Sequence, residues 1–160
     1  MPDMLVKLYD MPNIDLNDYL AEEGIVIKRA MALDKNKVTE FVRANFGDFC
    51  TDWASECERA ILNNPPSCYI AVKGDQLVGF ACYDASALGF FGPTGVSPTM
   101  QGKSVGKALL GKCLQSMKEK GYAYAIIGYV VEAVEFYKKA VGAVVIEGSA
   151  PDKSIYSNLI

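Results

Sequence analysis

The stretch from Leu88 to Val130 constrains the fold more than any other part of the chain. "LGFFGPTGV" (88–96) has the β-forming character of a strand, yet glycines and Pro93 interrupt it. After the turn-forming run "SPTMQGKSVG" the apolar period changes. From Ser104 to Glu119 it is helical: Val105, Leu109, Cys113 and Met117 recur at four-residue steps, joined by Leu110 and Leu114. Gly121 ends the helix, and "YAYAIIGYV" (122–130) reads as an apolar strand buried on both faces. Strand, helix and strand in this order make a right-handed crossover between parallel neighbours. Proline gives no N–H to a ladder, and glycine inside a strand marks a bulge or a close backbone approach. The first strand therefore cannot pair fully with the second, and a wedge is expected between them.

The rest of the chain reads as a mixed α/β domain with mostly antiparallel strands. "GIVIKRAMA" (24–32) is β-branched and alternating, a first strand. A helix runs from an Asp34 cap to about Asn45, and Gly47 stops it. "CTDWASECERAILNN" is a second helical segment, ended by Asn64 and the Pro65-Pro66 pair. "SCYIAVK" and "QLVGFACYD", joined at Gly74-Asp75, form a hairpin. Glu132 to Ala140 is a short helix closed by Gly142, and "AVVIEGS" and "KSIYSNLI" are expected to form a last strand pair. Residues 1–22 read as an appended segment with a short helix after Asp15, and residues 23–160 as one domain.

Composition narrows the chemistry. The 160 residues include no histidine, which excludes Ser-His-Asp and Cys-His catalysis. Five cysteines without a Cys-x-x-Cys pair read as buried reduced thiols, and no metal site is expected. Residues 1–60 hold twelve acids against seven bases, which argues against nucleic acid as a partner and suits a cationic one. No run of about 18 apolar residues predicts a membrane span. The N-terminus does not read as a signal peptide, so the expected compartment is the cytoplasm.

Gly102-Lys103-Ser104 ends the way a nucleotide-hydrolase phosphate loop does. That loop needs a glycine five positions before Gly102, where this chain has Ser97. Nucleotide hydrolysis is therefore not expected. The turn can still hold a phosphate. Gln101–Gly106 lies at a strand end and a helix start, where backbone N–H groups lack partners and the helix dipole is positive. Gly102 and Gly106 permit close approach, and Lys103 and Lys107 add charge. A bare capped helix start reads the same way, so the wedge decides. A diphosphate at the turn and an amide-bearing arm lying in the wedge like an added strand describe coenzyme A.

Residues 88–143 resemble the core of the GNAT superfamily of N-acetyltransferases. The resemblance rests on Val96 at a strand end, the loop Gln101-Gly102-Lys103-Ser104-Val105-Gly106, and the later "EFYKKAVGA" with Phe136-Tyr137 before Gly142. It implies a GNAT-like fold with a splayed central parallel pair. It also implies acetyl-CoA as co-substrate, bound by Val96, Gln101, Gly102, Lys103, Ser104, Val105, Gly106 and Lys107. The implied reaction is direct attack of a primary amine on the thioester, with Tyr137 as the general acid toward the departing thiolate. Ser104 departs from the family pattern, which has glycine there. It is expected to sit in the first helical turn, where serine is unstrained and its hydroxyl can meet a phosphate.

The amine must lose a proton. The candidate bases are Glu56 and Glu58, Asp84 at the hairpin's end, Glu132, or a water chain. Trp53, set between Asp52 and Glu56, either holds a cationic acceptor by its ring face or packs under a loop. The acceptor is a small-molecule or peptide amine, and the last strand leaves an edge for pairing in a homodimer. The alternative function is a non-catalytic acyl-CoA binding or sensing module.

Overall fold

The computed structural model describes residues 1–48 and 50–160. One seven-stranded mixed sheet organises it. In chain order the elements are β1 (Met4–Lys7), α1 (Asn17–Glu22), β2 (Ile25–Arg29), α2 (Lys35–Phe46), α3 (Trp53–Ile61), β3 (Cys68–Lys73), β4 (Gln76–Tyr83), β5 (Phe90–Val96), α4 (Val105–Lys120), β6 (Tyr124–Ile127), α5 (Val134–Val141) and β7 (Val144–Val145). The strand order is β2-β3-β4-β5-β6-β1-β7. Every neighbouring pair is antiparallel except β5–β6.

The sheet is covered on both sides, which explains the apolar strands. Leu109, Leu110, Cys113, Leu114 and Met117 of α4 pack with Met4, Val6, Ala125 and Ile127 of the strands. Val38, Val42 and Phe46 of α2 and Ala54, Cys57 and Ile61 of α3 form a second cluster with Cys68, Ile70, Phe80 and Cys82. Alternation along the end of β4 feeds both layers, Phe80 and Cys82 into one and Ala81 and Tyr83 into the other. Phe46 lies over Gly95, where a Cβ would come within 2.5 Å of its ring. Gly95 thus lets the α2 aromatic lie directly on β5.

Two expectations are corrected. Residues 1–22 are not merely appended: β1 pairs Met4–Lys7 with Ile127–Tyr124 on one side and with β7 on the other. Its short "MLVK" alternation places Met4 and Val6 in the core at 0% exposure. The last strand pair does not form. After two residues of β7 the chain turns at Gly148 (φ +76°) and Pro151 into 3₁₀ turns at Pro151–Lys153 and Ile155–Asn158. Ser154 Oγ accepts the Tyr156 N–H at 3.3 Å, so a local cap takes the place of a ladder.

Candidate functional site

The expected wedge is present. β5 and β6 pair only through Phe90 with Ile126 and Phe91 with Ile127. β5 then continues along β4, with Thr94 opposite Ala81, Gly95 opposite Phe80 and Val96 opposite Gly79. From Gly92 onward its edge toward β6 carries no ladder, and Pro93 has no N–H to offer one.

Beyond Val96 a 3₁₀ turn at Pro98–Met100 leads into Gln101, which is extended (φ −65°, ψ 150°). Gly102 follows at φ +80° and α4 begins at Val105. The first turn of α4 leaves its N–H groups without intrahelical partners. Gly106 lies against Val96, whose Cγ2 would stand 3.7 Å from a Cβ there, so the turn folds back over the strand end. Lys103 Nζ pairs with Glu23 at 3.1 Å, tying the turn to the end of α1. Part of the lysine charge expected at the turn is therefore already matched by a carboxylate.

Ser104 is a correction. It is not in the first helical turn but is the N-cap residue in the left-handed region, φ 63° and ψ 15°. The position requires positive φ because the chain must reverse from the extended Gln101 into the helix axis within three residues. A side chain there costs about 1 kcal/mol relative to glycine.

Tyr137 stands at the closed end of the wedge. Its ring meets Phe91, the last β5 residue paired with β6, edge-on at 6.3 Å, and Phe136 at 5.2 Å. Only 7% of Tyr137 is exposed, and this burial pushes its hydroxyl up to about 12. The phenol stays protonated across the neutral range and is a donor there. Phe136, by contrast, is exposed.

The candidate bases fall in different places. Asp84, in the left-handed region at φ 52°, is buried at the paired end of the sheet. Its Oδ1 accepts from Gly89 N at 2.8 Å and Tyr122 Oη at 3.0 Å, and its Oδ2 from Lys120 Nζ at 2.7 Å. Both oxygens are engaged in fastening β4, β5 and the end of α4. Glu58 pairs with Lys35 across α2 and α3 at 3.1 Å. Glu132 is exposed. Glu56 is different: it is partly buried, receives a hydrogen bond from Ser86, and burial raises its carboxyl above the usual range, with Asp52 adding to the rise. Trp53 packs against Phe46 at 5.4 Å and Phe80 at 6.1 Å, so its ring belongs to the second apolar cluster.

The structure adds residues that spacing along the chain did not point to. Tyr156, from the C-terminal turn, lays its phenol against Gly128, the residue that follows β6; a Cβ built at Gly128 would collide with that ring and hydroxyl. The Tyr156 ring also meets Tyr129 edge-on at 5.7 Å. Asp3 holds this corner together. Its Oδ1 accepts from Tyr129 N at 3.0 Å, while its own N–H donates to Ser149 Oγ at 2.8 Å. Among the described residues no group of three or more His, Cys, Asp or Glu side chains is placed to hold a metal ion. No helix of the described residues is long and apolar enough to cross a membrane.

Comparison with known proteins agrees with this geometry. Among solved structures, a GCN5-related N-acetyltransferase from Sphaerobacter thermophilus superposes with a TM-score of 0.69 at 21% identity, over 91% of this chain and 48% of that one. A GNAT family acetyltransferase from Brucella melitensis in complex with acetyl-CoA superposes with a TM-score of 0.58 at 15% identity, over 79% and 91%. A GCN5-related glucosamine N-acetyltransferase region of a fungal multi-domain β-N-acetylglucosaminidase gives a TM-score of 0.70 at 14% identity, over 91% and 19%. The chain thus spans about a fifth of the fungal protein and about half of the Sphaerobacter one. No curated protein sequence is similar enough to count as a match. The sequence profile described as Acetyltransferase (GNAT) family matches residues 36–143, which is more than half of the sequence, and the chain belongs to that family.

Proposed function

We propose that this protein is an acetyl-CoA-dependent N-acetyltransferase that moves the acetyl group directly to a primary amine. One observation carries the reading: β5 and β6 part after Phe91 and Ile127, and β5 runs on past the gap into the turn at Gln101–Lys107 that starts α4. The Brucella structure, solved with acetyl-CoA, supports the choice of co-substrate.

The residues fit such a ligand. The N–H groups and positive dipole end of α4 would take the diphosphate, aided by Lys107. The unladdered edge of β5 up to Val96 would pair with the amides of the pantetheine arm. A backbone N–H of that edge would also polarise the thioester carbonyl. The amine nitrogen attacks the carbonyl carbon, the C–S bond breaks, Tyr137 gives its proton to the departing sulfur, and the proton shed by the nitrogen as the amide forms returns to the Tyr137 phenolate. The ammonium proton leaves through Glu56, which burial makes a better base than an exposed carboxylate. Burial raises the Tyr137 phenol as well, so Tyr137 keeps its proton from the neutral range up toward about 12, where an ionised Glu56 can act as base.

The acceptor is a small-molecule or peptide amine, and the acids Asp52, the N-cap of α3, and Glu56, within α3, favour one that arrives as a cation. The Tyr137 and Glu56 placements favour turnover over a role in sensing acyl-CoA alone. The test is to measure acetyl-CoA binding by calorimetry and then screen amines for thiol release. Binding with release for at least one amine is expected; failure of acetyl-CoA to bind overturns the reading.

A further inference from the structure

We propose that Phe46 and Tyr156 are specificity-determining residues, two aromatic walls that flank the acceptor's way into the wedge and select amines carried on an unbranched carbon. The inference rests on the acetyltransferase reading and deepens it by naming the class of acceptor. It comes from one juxtaposition. β5 and the end of β6, which part at the wedge, each present a glycine, and each glycine lies under an aromatic ring from a distant segment.

On β5 the glycine is Gly95, under the Phe46 ring. At the end of β6 it is Gly128, where a side chain would overlap the Tyr156 phenol. Gly128 is the first residue beyond Ile127, the last β6 residue paired with β5. Both rings lie on one side of the sheet. Gly95 stands opposite Phe80, which shares with Phe46 the cluster under α2 and α3. Ala125 and Ile127 point the other way, into the cluster under α4, so alternation turns Gly128 to the α2 and α3 side. The charge of Glu56, on α3, reaches the Tyr156 phenol there; after burial it is the next cause raising that hydroxyl to about 12. Tyr137 packs with Phe91 in the α4 cluster, so the proton donor and the two walls stand on opposite faces of the same gap. The departing sulfur belongs on the Tyr137 side. The face left for the amine is the one between Phe46 and Tyr156.

The two walls are held differently. Phe46 is buried and meets Trp53 at 5.4 Å, Phe80 at 5.8 Å and Phe41 at 6.1 Å, so it is fixed by the core. Tyr156 is half-buried. It rests on Tyr129 at 5.7 Å, on a turn that Ser154 caps, and Asp3 holds Tyr129 N from behind. Neither glycine contributes a side chain to the passage, so the rings set its width. The passage is narrow, because Gly128 stands one residue beyond the last ladder pair, where the strands have opened little from their spacing of about 4.8 Å. A methylene next to the nitrogen is the least bulk an alkylamine can bring to this point. A carbon bearing three methyl groups has to displace one wall, and Phe46 is packed too closely to move.

The probes are n-butylamine and tert-butylamine, isomers of equal charge that differ in branching beside the nitrogen. Calorimetry measures their binding to the full chain loaded with coenzyme A, which needs no turnover. The parent should bind n-butylamine at least about 10-fold more tightly, the effect of crowding by a methyl group in a close-fitting pocket. Tyr156→Ala removes the movable wall and should bring the ratio within about threefold. Gly128→Ala, which displaces the phenol without removing it, should move the ratio the same way and decides the matter if Tyr156→Ala no longer holds coenzyme A. Tyr156→Phe keeps the ring and should keep the ratio. A ratio in Tyr156→Ala and Gly128→Ala equal to the parent's overturns the proposal. So does loss of the preference in Tyr156→Phe, which would make the hydroxyl its cause, and so does failure of both amines to bind to any of these proteins. Thiol release separates the two claims. Selective binding with no thiol released by any amine leaves the walls standing and refutes the transfer reading alone. Release with an unchanged ratio does the reverse.

Discussion

On one flank of the wedge, the groups suited to a diphosphate lie within seven consecutive residues, Gln101 to Lys107, and most of them are backbone N–H. On the side proposed for the acceptor, Glu56, Ser86 and Tyr156 come from three separate segments, and what matters is their side chains. The first flank is built by local geometry, because a tight turn into a helix start exposes N–H groups whatever the side chains are. The second is built by tertiary packing, and each member needs the sheet, both helical layers and the tail in place. The first should therefore tolerate side-chain changes that keep the turn, and the second should not. Each experiment below tries to break that contrast.

The largest effect is expected where the flanks meet. Tyr137→Phe keeps the contact with Phe91 and removes only the proton donor. A fall in kcat of about 10²–10³-fold is expected from loss of a general acid, with acetyl-CoA Kd within about twofold of the parent. Steady-state kinetics beside calorimetry reads both numbers. An unaltered kcat would remove the phenol from the chemistry and leave the wedge as a binding site.

The next comparison sets two carboxylates against each other. Glu56→Gln should lower kcat/KM by about 10²-fold and abolish its acid limb, while thermal stability at pH 7 is kept, because burial disfavours the charge that is removed. The sign follows from the direction of the shift. A carboxyl raised in the folded state binds its proton more tightly there, so ionised Glu56 weakens folding as pH rises through the unfolded value. Asp84→Asn should do the reverse: a loss of about 2 kcal/mol in denaturant unfolding, since the pair with Lys120 is broken inside a three-bond network, and kcat of the folded enzyme little changed. Lys120 is itself raised by its bond to Asp84, so the part of this stabilisation that Lys120 contributes is present at neutral pH and is lost as pH rises through its elevated folded value. If Asp84→Asn lost turnover and Glu56→Gln did not, the base would have to be reassigned.

How far the chain disclosed this arrangement follows the same division. The splayed pair could be read from Pro93 and the glycines of 88–96, because ladder hydrogen bonding has strict requirements that one residue can break. The turn was legible for the same reason, through Gly102 and Gly106. Tyr137 was legible only through resemblance, since a tyrosine on a helix usually packs, and this one does that too. Tyr156 and Ser86 were not legible: a serine in a hairpin connection and a tyrosine near the end of the chain have no spacing that links them. Reading "KSIYSNLI" as a strand followed its β-forming residues, but Ser154 caps Tyr156 N and the segment coils into a 3₁₀ turn instead of joining the free edge of β7. Residues 1–22 were set apart because four residues of "MLVK" are too few to signal a strand, although β1 lies inside the sheet with both edges paired.

The smallest predicted effect tests the local flank by improving it. Ser104 sits at φ 63°, where glycine has no Cβ to oppose the turn. Ser104→Gly releases about 1 kcal/mol of backbone strain but also gives the unfolded chain more freedom, and the net gain should be a few tenths of that, a Tm rise of about 1–2 °C. If the seryl side chain does nothing for the ligand, acetyl-CoA affinity should stay the same or tighten by up to about threefold, because the turn reaches its binding shape with less opposition. If the hydroxyl instead meets a phosphate, the same change should weaken binding by several-fold even as Tm rises, the loss expected for one hydrogen bond to a charged group. Calorimetry on the two proteins at matched ionic strength distinguishes these outcomes by sign. Weakened binding would mean that the turn flank, like the acceptor flank, depends on a side chain, and the contrast between the two would narrow to one of degree.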